Sequence, residues 1–153
     1  MIGDYVLRVG YSYLGLLAGN VALLVLLLLN AFRASLWLHG QMKMLFLAAL
    51  GYFIPIAIVS IVGWLAIGIP AVLIFSPQRV LQFPLWLLLA IGALLGPVAL
   101  FVIFLLLSRG LAAAETFTNT GLLWACASLI STVAFAVHCA LLYTRWTARG
   151  QIN

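Results

Sequence analysis

Few side chains in this sequence could do chemistry, and most of those sit inside long apolar runs. His138 is the one ionisable group well within such a run. A neutral imidazole there can ligate a haem iron or a chlorophyll magnesium, relay a proton, or hydrogen-bond a neighbouring helix. His39, the other histidine, falls between runs, so bis-histidine haem ligation would need a second subunit. Cys126 and Cys139 are thirteen residues apart, about 20 Å along a helix, which is beyond disulfide reach. With no CxxC pair and no His/Cys cluster, neither a disulfide framework nor a metal site is indicated. Asp4 and Glu115 are the only carboxylates and both lie outside the runs. They supply no acid–base pair, no Ser/His/Asp set and no intramembrane carboxylate for ion-coupled transport. There is no glycine-rich phosphate loop, and catalysis is not expected.

Polar but uncharged residues are more informative. Projected at 100° per residue, Ser128, Ser131, Thr132, His138 and Cys139 fall within about 120° of one another. Leu123, Ile130, Val133, Val137 and Leu141 occupy the other side, and Cys126 projects opposite Cys139. The polar stripe is expected to face protein or water and the aliphatic stripe to face lipid, with Cys126 on the lipid side or in packing. Asn20 lies near the middle of the first run and must satisfy two donors and an acceptor. Its expected partner is the Ser128/Thr132 stripe, or Asn20 of a second copy. Read functionally, Asn20 and the stripe would line a solute path; read structurally, they join helices. Gly15/Gly19 and Gly92/Gly96 are each a GxxxG pair, expected to admit another helix backbone, within the subunit or between subunits.

The elements that must carry these residues follow from composition. Of 153 residues, 67% are hydrophobic and 6% charged, against roughly 45–50% and 25% in soluble domains. That excludes a water-soluble fold and points to a bilayer as solvent. Residues 11–32 form the first uncharged run, full length for a span and without a clean cleavage site, so a retained helix is expected rather than a signal peptide. Residues 33–43 hold Arg33, Trp37, His39 and Lys43, a composition suited to the headgroup level. The next 32 residues are uncharged, about 48 Å as one helix. Pro55, Gly63, Gly68 and Pro70 break that run into an expected kinked second span, 44–69, with 70–84 interfacial or re-entrant. Ser76-Pro77 reads as an N-cap and first helical position, and Gln78, Arg79 and Gln82 mark the interface. A third span, 85–107, contains Gly96-Pro97; 108–120 is loop-like; a fourth span, 121–143, ends at Arg145-Trp146 and Arg149.

The expected fold is therefore an all-α membrane protein, a single domain of four transmembrane helices. Net charge is +5, but the basic residues are scattered through the loops, so they read as topology markers and not as a nucleic-acid surface. Arg8, Arg79, Arg145 and Arg149 fall on one side and Arg33, Lys43 and Arg109 on the other, which places both termini inside by a margin of one charge. Arginine outnumbers lysine six to one, as in GC-rich genomes, so a bacterial cytoplasmic membrane is expected. In length, four-span layout and high pI the chain resembles the membrane-associated eicosanoid and glutathione metabolism enzymes. In size and weak charge bias it resembles the small dual-topology exporters. No glutamate precedes Glu115, so the second-span and first-span glutamates on which those families rely have no counterpart. The function expected from the residues is a non-enzymatic accessory or scaffold subunit that packs against other membrane subunits or against itself. A homo-oligomeric channel for a small solute is the alternative, and haem or chlorophyll attachment at His138 a third.

Overall fold

The computed structural model describes residues 2–37, 41–107 and 120–148. His39, Arg109, Glu115 and Arg149 lie outside the described residues. Every element among them is helical: α1 (Ile2–Trp37), α2 (Met42–Gly63), a π-helical turn (Trp64–Gly68), α3 (Ile69–Ile74), α4 (Pro77–Leu81), α5 (Leu85–Leu107) and α6 (Thr120–Ala148). Three stretches are long and apolar enough to cross a membrane, Gly3–Leu36, Met42–Ile74 and Gly121–Thr147; α5 adds the shorter apolar stretch Leu85–Phe101.

Several boundaries differ from the sequence reading. α1 begins at Ile2 and not near residue 11, so Asp4 and Arg8 are helical and do not belong to a tail. Nothing in residues 2–10 breaks a helix, and both charged side chains find partners on other elements. At 36 residues, α1 is about 54 Å long. The second helix likewise continues past residue 69 to Ile74. Pro70 lacks an amide and its ring crowds the carbonyl four residues back. The turn just before it widens, and the Ile69 amide donates to the Trp64 carbonyl, five residues earlier. Residues 70–74 thus extend this helix. The connector that follows has Ser76 extended and Pro77 at the start of α4, whose Pro77 is buried and which packs against α6.

α6 sits between α1 and α5, and α2 lies against α1. The α1 and α6 helices run antiparallel in one register: Asp4 meets Arg145, Gly15 meets Ala134 and Gly19 meets Ile130, one helix stepping up as the other steps down. Leu16, Leu23, Cys126 and Ile130 form the buried core, flanked by Phe53, Ile56 and Trp64. Ile130, expected on the lipid side of α6, is buried because α1 packs on that face, while Cys126 is buried in packing, one of its two expected places. Trp146, expected as an interfacial anchor, is buried as well.

Candidate functional site

Both glycine pairs meet α6. A Cβ on Gly15 or Gly19 would overlap the Ala134 or Ile130 carbonyl oxygen, and one on Gly96 would overlap the Ala127 carbonyl oxygen. At Gly92 the neighbours are Thr132 Cα at 3.2 Å and Phe135 Cβ at 3.3 Å from such an atom. α6 is therefore gripped from two sides at backbone distance, the approach that small residues permit between membrane helices.

The polar residues of the helices are engaged locally. Asn20 finds its partner on α2 and not on the Ser128/Thr132 stripe: Asn20 Nδ2 donates to Ser60 Oγ at 3.0 Å and to the Leu16 carbonyl at 2.9 Å. Ser60 Oγ lies 3.1 Å from Asn20 Oδ1 and 2.8 Å from the Ala57 carbonyl. Ser131 Oγ donates to the Gly92 carbonyl on α5 at 2.5 Å, and Thr132 Oγ1 to the Ser128 carbonyl of its own helix at 2.7 Å. Of the stripe, Ser131 thus links α6 to α5, while Cys139 is buried and Ser128 serves through its carbonyl. A double-mutant cycle over Asn20→Leu and Ser60→Ala, read by reversible unfolding in mixed micelles, is expected to give a coupling of about 0.6 kcal/mol, the average for interhelical bonds in membranes. A coupling of zero would separate the pair energetically.

The ionic groups gather at the end where α1 begins and α6 finishes. Arg8 donates through NH2 to the carbonyls of Val72 and Phe75, the free acceptors at the C-terminal end of α3, and lies 5.5 Å from the Tyr5 ring centroid. A guanidinium at that position complements both the unpaired carbonyls and the negative end of the helix dipole. Arg145 forms an ion pair with Asp4 at 3.1 Å. Ser12, one turn after Arg8 on the same face, accepts from Trp64 Nε1 at 2.7 Å. The sequence reading placed Arg8 in a tail and passed over Ser12, Ser60 and Trp64. The i, i+4 spacing of Arg8 and Ser12 was the available signal.

Between these elements lies a partly open cavity of about 480 Å³, within the range of roughly 300–1,000 Å³ typical of ligand sites. Its walls come from every helix and are overwhelmingly apolar; Arg8, Ser12, Ser60, Ser131 and His138 are its polar lining. Along α6 it extends from Leu123 to Leu142, about 28 Å. His138 is 8% exposed, lies against the Tyr11 backbone, and its Nδ1 has no hydrogen-bond partner. Among the described residues, the buried side-chain polar atoms left without a partner are His138 Nδ1, Arg8 Nε, Arg145 Nε and Trp146 Nε1, all at this one end. No three His, Cys, Asp or Glu side chains converge among the described residues, so among them a haem iron or chlorophyll magnesium would have His138 as its protein ligand.

Compared with family models, curated proteins and solved structures, the chain matches none.

Proposed function

We propose that this chain is a four-span integral membrane protein of the bacterial cytoplasmic membrane, with both termini in the cytoplasm. It works without catalysing a reaction, as an accessory or scaffold subunit of a larger membrane assembly. The observation that supports this reading is where the polar groups spend their hydrogen bonds. The Asn20 amide is closed on Ser60 and the Ser131 hydroxyl on the Gly92 carbonyl, so the residues able to line a solute path serve to join helices. The outer faces carry Val21, Val25 and Leu29 on α1, Ile54, Ile58 and Ile61 on α2, and Leu94, Val98 and Phe101 on α5, all exposed. Such faces suit lipid and other membrane helices equally. Placing the termini inside puts Arg8, Arg79 and Arg145 on the cytoplasmic side.

The test is extraction from the native membrane in a gentle detergent, followed by the mass and composition of the particle that contains the chain. The expected result is a particle with other subunits. A homo-oligomer that conducts a small solute in proteoliposomes, with flux abolished by Asn20→Leu while assembly survives, would overturn the proposal in favour of a channel.

A further inference from the structure

The cavity between the helices makes little polar demand on an occupant. The hydroxyls of Ser12, Ser60 and Ser131 are each bonded to protein, and Arg8 NH2 is spent on the carbonyls at the end of α3. The unpartnered Arg8 Nε and His138 Nδ1 are covered by protein and meet no open space. What faces the lumen is overwhelmingly hydrocarbon. Left empty, such a space forfeits the dispersion contacts of its lining, and the solvent at its open side is a bilayer of acyl chains.

Shape narrows the occupant. α1 and α6 form the floor of the space, α2 and α3 one wall and α5 the other. α2 packs chiefly on α1 and α5 chiefly on α6, so the two walls are held apart by the helices between them. At roughly 30 Å³ for a water-sized group, 480 Å³ holds on the order of 16 methylene-sized groups, one long acyl chain and neither two chains nor a helix. Charge narrows it further. Arg8 and Arg33 are 25 residues apart on α1, about 37 Å, which straddles a hydrocarbon core of roughly 30 Å, so the Arg8 end of the cavity is at headgroup level. The bond from Arg8 to the Phe75 carbonyl brings α4 to the same level, where Pro77 and Val80 wall that end of the space. On this short helix Gln78 and Arg79 are exposed, as is Gln82 just after it. Arg145 is committed to Asp4 and Arg8 to α3, whereas Arg79 forms no ion pair among the described residues. A free cation beside amide donors, at headgroup level and next to a space one chain wide, complements a phosphodiester that carries an acyl chain.

We infer that the cavity takes one acyl chain of an anionic phospholipid, whose phosphate lies against Arg79 and whose second chain stays in the bilayer through the open side. The enclosed acyl chain fills the gap between α2–α3 and α5, so the lipid packs the two walls together. The inference is independent of which assembly the protein joins.

The experiment is native mass spectrometry of the full chain released from dodecyl maltoside micelles after titration with dioleoyl phosphatidylglycerol or dioleoyl phosphatidylcholine. Saturable retention of one phosphatidylglycerol per protein is expected, about fivefold tighter than phosphatidylcholine, the contribution of one basic residue at the membrane surface. Arg79→Gln, at an exposed position that leaves packing untouched, is expected to bring phosphatidylglycerol down to the level of phosphatidylcholine. Ala71→Phe and Ala99→Phe, which fill the lumen from α3 and from α5, are expected to abolish retention of both lipids while the protein stays monodisperse. sn-Glycerol 3-phosphate, a headgroup ester without acyl chains, is expected not to displace the lipid. The inference is overturned by the absence of a saturable one-to-one component, by equal retention of the two lipids, or by an Arg79→Gln variant that keeps the preference. Unchanged retention in both filled variants would overturn it in favour of a lipid on the outer surface, and displacement by sn-glycerol 3-phosphate in favour of a soluble phosphate ester. Should either filled variant aggregate, the comparison of the two lipids and Arg79→Gln still decide.

Discussion

Gly19→Leu is expected to lower the stability of the folded protein by about 3 kcal/mol, the upper part of the usual range for forcing volume into a filled contact. The added Cβ meets the Ile130 carbonyl oxygen, and backbone cannot rotate away as a side chain does. α1 must then separate from α6 or shift its register, which also misplaces Gly15 against Ala134 and Asp4 against Arg145. Gly10→Leu is the control: it lies on the same helix, and nothing stands within 4 Å of the position its Cβ would take. It is expected to change stability by less than about 0.5 kcal/mol. Reversible unfolding of both variants by sodium dodecyl sulfate in mixed micelles measures the difference. Equal stabilities would mean that the α1–α6 contact does not hold the fold together.

The second large effect is expected at Arg8. Arg8→Leu removes the donor shared by the Val72 and Phe75 carbonyls and is expected to cost about 2 kcal/mol, as hydrogen bonds from charged groups do. Arg145→Leu, which breaks an ion pair whose Asp4 partner is half-exposed, is expected to cost under about 1 kcal/mol. A local readout separates the two further. Amide exchange over residues 70–75 should accelerate in Arg8→Leu and stay unchanged in Arg145→Leu. Unchanged exchange in both would mean that α3 is held by its own backbone and not by Arg8.

Particular residues show which parts of this were legible in sequence. The helical, membrane-directed character follows from four uncharged runs, and the two GxxxG pairs mark the faces that meet α6, because small residues are read directly as close approach. Helix ends were less legible. Asp4 and Arg8 look like a solvated tail, yet both are helical, since a charged pair with partners across the interface does not terminate a helix. The partner of Asn20 was missed because an angular projection orders residues on one helix and says nothing about which helix stands opposite. Ser60 looks like any serine in an apolar run until α2 is placed against α1. The burial of Ile130 has the same origin: a two-sided stripe pattern assumes one protein neighbour, and α6 has two. The cavity could not be read at all, because volume left between helices is a property of their arrangement and leaves no mark in local pattern.

The central place of α6 sets a timetable for synthesis. This helix, which α1 and α5 both grip, follows all the others in the chain. At roughly 5–20 residues per second, about 80 residues separate the end of α1 from the start of α6, so α1 waits on the order of ten seconds in the bilayer with Gly15 and Gly19 uncovered. Until α6 is released, α1 and α5 lack their main neighbour, and a ribosome stalled within residues 108–119 would leave α1 paired with α2 while both glycine faces stay uncovered. Quality control acting on such intermediates would see a membrane chain that lacks the one helix against which both α1 and α5 pack.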